Sequence, residues 1–182
     1  MAAAVSARLA WAAELADPQP GDRVLEVGCG HGVLLSLIAD RLTTGRAVGL
    51  DRSAAMTAAA VRRNAAAVAR GTVAVRTAEL LGAELDAGWA DLVVAVHVGA
   101  FWRPPADEYG VVRDVLADGG RFLLVDQPLR PGAQEERVAR VAALAEPHGL
   151  SVTAVHTGDT PPRPSLAVEF GRRRAPQRGA VT

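Results

Sequence analysis

Apolar positions along the chain fall into two kinds of run, and the two kinds alternate. Short, nearly unbroken runs cover Arg23–Val27, Ala47–Leu50, Val73–Arg76, Leu92–Val96 and Arg121–Val125. Runs this short and this apolar predict strands covered on both faces. Longer segments with helical periodicity lie between them. Val33, Leu34, Leu37, Ile38 and Leu42 fall on one face, and Thr43-Thr44-Gly45 ends that helix. Ser53–Ala69 predicts another helix, with Ser53 as N-cap and Gly71 as stop. Asp107–Leu116 and Gln134–Ala145 predict two more, and Val5–Ala16 predicts a first helix stopped by Pro18 and Pro20. Asp118-Gly119-Gly120 is expected to turn the chain into the fifth strand. The last two runs, Ser151–His156 and Ser165–Phe170, are joined by a proline-rich stretch with no helical segment, which predicts a hairpin.

Alternating strands and helices predict an α/β fold, a doubly wound parallel sheet with helices on both faces. The hairpin adds one antiparallel strand. No internal repeat or interdomain linker interrupts the pattern. One domain is therefore expected over residues 1–171, with 1–18 forming the N-terminal helix and lead-in and 172–182 a disordered basic tail.

Composition changes this picture only at particular points. Basic and acidic residues number 20 each, so no overall field favours nucleic acid or an anionic membrane. Every basic residue is arginine; the absence of lysine excludes Schiff-base and lysine-nucleophile chemistry. Cys29 is the sole cysteine, so no intramolecular disulfide forms and a cytoplasmic setting is expected. The alanine-rich start is a poor signal peptide because Arg8 and Glu14 interrupt it. No stretch approaches the roughly 20 uncharged apolar residues of a membrane span, and no tight metal-ligand spacing appears.

The loop after the first strand carries the chemistry. It reads Glu26-Val27-Gly28-Cys29-Gly30-His31-Gly32. A dinucleotide fingerprint needs Gly-x-Gly-x-x-Gly, and its third glycine would fall on Val33. The third glycine instead arrives one residue early. Glu26, a carboxylate on the strand, suits a cationic amino group better than a pyrophosphate. A tight turn that holds no ligand stays open as an alternative.

The segment Val24–Gly32 resembles the first motif of class I S-adenosylmethionine-dependent methyltransferases. Val48-Gly49-Leu50-Asp51-Arg52-Ser53, followed by Met56, resembles the second motif. In that family the acidic residue closing the second strand binds the ribose hydroxyls, which implies Asp51; otherwise Asp51 is a capping or surface residue. The third motif departs from the family pattern, because Thr77 stands where an aspartate usually binds the adenine amino group. The backbone of Ala78 and the side chain of Glu79 are the substitutes, Glu79 being equally a solvent-facing charge. Asp91–Val98 resembles the fourth strand and its exit, which implicates Val96 and His97 near the methionine portion. Leu116–Leu124 resembles the turn into the fifth strand. The resemblance covers roughly residues 20 to 171 and implies a Rossmann-like sheet of seven strands in order 3-2-1-4-5-7-6, the last antiparallel.

The cofactor so implied is S-adenosylmethionine, bound through Glu26, Gly28, Cys29, Gly30, Gly32, Asp51, Arg52, Met56, Thr77, Ala78, Glu79, Val96 and His97. His97 is also the candidate catalytic base, at the exit of a buried strand, with a structural or cofactor-packing histidine as the alternative. Phe101, Trp102 and Tyr109 either wall an acceptor pocket or belong to the core. Arg103 either binds an acidic group or is a solvated charge. No Asn/Asp-Pro-Pro-aromatic motif follows the fourth strand, Cys29 is not in a Pro-Cys nucleophile motif, and no substrate domain is inserted. A small-molecule methyl acceptor is therefore expected, with nucleic acid and membrane not expected as partners and a homodimer open. The rival readings are a non-catalytic cofactor-binding or regulatory module and a nicotinamide-dependent oxidoreductase.

Overall fold

A computed structural model of the chain describes residues 5–129 and 132–173. The expected tail falls largely outside these residues, and the closing strand runs on to Arg172. Seven strands form one sheet: β1 (Arg23–Val27), β2 (Arg46–Asp51), β3 (Val73–Thr77), β4 (Ala90–Val96), β5 (Leu116–Asp126), β6 (Leu150–Gly158) and β7 (Ser165–Arg172). Their order is β3-β2-β1-β4-β5-β7-β6. The first five pair in parallel, and β7 runs antiparallel to both β5 and β6. This is the seven-stranded doubly wound topology that the motifs imply.

The central strands are covered on both faces, which is why they read as unbroken apolar runs. Val93 and Ala95 of β4 face one core, with Phe122 and Leu124 of β5; Leu92 and Val94 face the other, with Leu123 and Val125. The first core is closed by α5 (Glu108–Val115) and α6 (Gln134–Ala145). The second is closed by α1 (Ala7–Ala16), α2 (Val33–Ala39) and the small α4 (Ala65–Ala69). Among the described residues no helix is long and apolar enough to cross a membrane.

Two elements differ from expectation for local reasons. The helix expected over Ser53–Ala69 breaks at Asn64 into α3 (Ala54–Arg63) and α4. The buried Asn64 side-chain amide donates to the carbonyls of Ala60, at 2.9 Å, and Gly32, at 3.0 Å. A side chain that bonds the backbone competes with helix continuation, and here it ties α3 to the glycine loop. Asp118-Gly119-Gly120 does not precede β5 but bulges within it. Pairing with β4 passes from Ala90↔Leu116 to Leu92↔Arg121, and Gly119 takes φ +78°.

α1 runs alongside β5. The Arg121 guanidinium, where regular β5 pairing begins, donates to the carbonyls of Leu15 and Ala16. Arg8, one helix length away, bonds Gln127 just past the carboxyl end of β5. The start of α1 therefore stands at the rim where the parallel strands end.

Candidate functional site

In an open α/β sheet, ligands bind beyond the carboxyl ends of the strands, where the strand order reverses. That point lies here between β1 and β4. A cleft of about 530 Å³ opens there, of ordinary size for a small-molecule site. Its walls bring together Gly28 from the β1 loop, Asp51 and Arg52 from the end of β2, Ala78 and Glu79 after β3, and Val96 and His97 after β4. Four separately read motifs thus meet in one cavity.

The glycine loop has the backbone that only glycine adopts readily. Gly28, Gly30 and Gly32 have φ of +71°, +51° and +72°. A Cβ on Gly28 would lie 2.7 Å from Val98 Cγ2, so this glycine lets the loop close against the β4 exit. A Cβ on Gly30 would meet nothing within 4 Å, which leaves open space above the loop. Gly32 is the N-cap of α2.

Asp51 is the hub of the site. Its Oδ2 accepts the Gly30 amide and its Oδ1 the Ser53 amide, each at 2.9 Å. Its carbonyl accepts the Ala78 amide at 3.0 Å. Ala78 was expected to offer its backbone to a purine ring; the amide is already engaged, so only its remaining atoms face the cleft. The Thr77 hydroxyl pairs with that of Thr57 at 2.6 Å, and Thr77 stands outside the cleft wall. Met56 and Cys29 also lie off the wall. Cys29 Sγ would stand 3.0 Å from a Cβ at Gly49, and burial, aided by the charges of Glu26 and Asp51, pushes its thiol up to about 12, far from a nucleophilic thiolate. Arg103 lines the cleft with Glu108.

Glu26 lies beneath the loop rather than on the wall. It is 4 % exposed, and its Oε2 has no hydrogen-bond partner. Burial pushes its carboxyl up to about 8; a bond from the Leu35 backbone opposes the shift and the charge of Asp51 adds to it. A buried carboxylate oxygen without a donor is the feature that a cationic amino group over the loop would satisfy.

His97 has φ +57°, uncommon for a residue with a Cβ. Its Nε2 accepts the backbone amide of Gln127 at 3.1 Å and lies 3.6 Å from Asp126 Oδ1. Desolvation holds its pKa below the ordinary 6.5, and the charges of Arg8, Arg137 and Arg163 act in the same direction against Asp126. The neutral tautomer assigned by that bond carries its proton on Nδ1. The lone pair that a general base would use is therefore engaged.

Phe101 and Tyr109 are fully buried, packed with Phe122 and Phe170, and Tyr109 Oη donates to the Phe101 carbonyl at 3.0 Å. They are core residues; of the three aromatics only Trp102 stays near the rim, half-buried beneath the Arg137 guanidinium. Sequence reasoning missed Arg8, Gln127 and Arg137. None of them lies in a motif, and Arg8 meets Gln127 across 119 residues.

The strand order and a cleft built from these motifs define a class I methyltransferase fold. The methyltransferase-domain family matches residues 25–122, more than half of the chain, and the chain belongs to that family. A nocamycin O-methyltransferase of Saccharothrix syringae is 39% identical over 149 residues, 72% of this chain and 51% of that protein. The chain thus spans about half the length of that curated relative. Among solved structures, geranyl diphosphate methyltransferase aligns with TM-score 0.73 at 14% identity, covering 91% of this chain and 78% of the other. Mitomycin 7-O-methyltransferase aligns with TM-score 0.69 at 20% identity, covering 91% and 54%.

Proposed function

We propose that this chain is an S-adenosylmethionine-dependent methyltransferase that acts on a small molecule, working in the cytoplasm as its lone, reduced cysteine suggests. The observation that carries this reading is Asp51, fixed by two backbone amides in the same cleft as the glycine loop and the β4 exit. Its remaining acceptor capacity suits a pair of ribose hydroxyls. Glu79, exposed on the β3 side of the cleft, takes the place of the family aspartate toward the adenine amino group. Glu26 supplies negative charge beneath the amino-acid end. Val96 and His97 stand at the transfer end.

When bound, S-adenosylmethionine supplies a methyl carbon on a sulfonium that is already an activated leaving group. The residues of the chain then orient the reacting atoms and exclude water. The methyltransferase names of the nocamycin and mitomycin relatives support a small-molecule acceptor. A nicotinamide cofactor is disfavoured because the position of the third fingerprint glycine is Val33, the first residue of α2.

Incubation with methyl-labelled cofactor and a panel of small acids, phenols, alcohols and amines tests the proposal. Transfer of label to one acceptor class is expected. Cofactor binding without transfer to any class would favour the non-catalytic module instead.

A further inference from the structure

Beside His97, outside the cofactor cleft, lies a corner built from five distant parts of the chain. Arg8 on α1 donates to Gln127 Oε1 at 2.7 Å. The Gln127 side-chain amide donates to the Thr160 carbonyl at 3.0 Å, Thr160 Oγ1 at 3.1 Å and the Arg163 carbonyl at 2.8 Å. These bonds fix the amide so that its oxygen faces Arg8. Arg137 on α6 pairs with Asp126 and lies 4.1 Å over the Trp102 ring.

The corner holds more donors than acceptors. Arg8 Nε, Arg137 Nε and Trp102 Nε1 are all buried, with no hydrogen-bond partner among the described residues. A buried donor without an acceptor is costly, and their concentration in one linked group points to an absent acceptor. The charges agree: Arg8, Arg137 and Arg163 all act on His97, against the single carboxylate of Asp126.

We propose that this corner is the acceptor subsite and that the acceptor is a carboxylic acid, bound as its carboxylate by Arg8 and Arg137 and methylated on a carboxylate oxygen. The proposal rests on the cleft being the cofactor site. A planar guanidinium matches a carboxylate in shape and charge. A phenol or alcohol brings no charge to the arginines and needs a base, and the Nε2 lone pair of His97 is engaged with the Gln127 amide. With a carboxylate, an oxygen lone pair forms the new carbon–oxygen bond while the methyl–sulfur bond breaks. The sulfur keeps that bonding pair and becomes a neutral thioether. One anionic group and one sulfonium cation give an ester and a thioether, and no proton moves.

The test begins with S-adenosylhomocysteine bound to the wild-type chain. That complex is titrated with benzoate, trans-cinnamate and decanoate, and with their primary amides, by calorimetry. At least one acid is expected to bind about tenfold or more tightly than its amide, as charge-assisted bonds predict. Arg8→Gln and Arg137→Gln should each remove most of that preference while S-adenosylhomocysteine affinity stays within about twofold. Arg8→Lys, which keeps the charge, should retain part of it. Label transferred from methyl-labelled cofactor to the acid should be released as methanol by mild alkali, as from an ester. Equal binding of acids and amides, no acid binding, or alkali-stable label overturns the proposal. Failure of the wild-type chain to bind S-adenosylhomocysteine at all would instead remove the cofactor reading beneath it.

Discussion

The Oδ2 of Asp51 accepts the Gly30 amide at 2.9 Å, so the carboxylate at the end of β2 and the loop after β1 form one preorganised unit. The Ser53 amide on Oδ1 fixes the same carboxylate from the other side. Fixed acceptors bind hydroxyl donors without first paying the entropy of being positioned.

Asp51→Ala should therefore weaken S-adenosylhomocysteine binding by roughly ten- to hundredfold, the range for hydrogen bonds to a charged group. Isothermal titration measures this directly. An affinity within about twofold of wild type would place the ribose elsewhere.

Glu26 makes a prediction about protons. Its carboxyl is raised from 4.5 to about 8 by burial, so it is mostly protonated in the free chain at pH 7. An ammonium group above the loop favours the ionised form. Binding of S-adenosylhomocysteine at pH 7 should release protons, seen as an apparent enthalpy that depends on the ionisation heat of the buffer. Glu26→Gln should abolish the release. The same shift sets a stability slope. A raised folded-state pKa means the folded chain holds more protons between 4.5 and about 8, so stability falls as pH rises through that window. Glu26→Gln should flatten that fall; an unchanged slope in urea melts would contradict the assignment.

His97 stands at the transfer end with Nε2 bonded to the Gln127 amide and a pKa held below 6.5. His97→Ala should lower kcat by less than about tenfold on an accepted substrate, because a general base contributes about 10²–10⁴-fold. The kcat profile should also show no limb between pH 7 and 8.5, since the imidazole is already neutral there. A loss of about a thousandfold would restore His97 as the base.

Asn64 links α3 to the glycine loop through the carbonyls of Gly32 and Ala60. Asn64→Ala removes one of two bonds to the Gly32 carbonyl, which keeps the Ser36 amide at 3.1 Å, so a cost of about 0.5–1.5 kcal/mol follows. At roughly 2–4 °C per kcal/mol for a chain of this size, the melting temperature should drop visibly. Gly32→Ala should cost more, because its φ is +72° and the new Cβ would stand 2.6 Å from Asn64 Nδ2 and 2.9 Å from Ala60 Cβ. A Gly32→Ala chain as stable as wild type would show that this loop adopts another conformation.

Much of the fold was legible because its strands are buried on both faces. Arg23–Val27 and Gln134–Ala145 match the expected bounds, since a doubly covered strand and a long amphipathic helix write their burial into local sequence. The break at Asn64 was not legible, because its cause is a side-chain bond to Gly32, 32 residues away. Local spacing cannot separate a core aromatic from a pocket wall; the packing of Phe101 on Phe122 and of Tyr109 on Phe170 makes both core residues. The motifs name Gly28, Asp51, Glu79 and Val96, which the structure gathers on one cleft because each stands at or just past the end of a strand. The Arg8–Gln127–His97–Asp126–Arg137 corner has no such signature, as α1, β5 and α6 meet there only through tertiary packing.

The central claim, that this cleft is built for S-adenosylmethionine, is tested most directly by equilibrium titration of the purified chain with S-adenosylhomocysteine and, separately, with NADH. One S-adenosylhomocysteine per chain is expected, with a dissociation constant of about 1–100 μM, weakened roughly ten- to hundredfold by Asp51→Ala, and no NADH binding. Binding of NADH with none of S-adenosylhomocysteine would contradict the account.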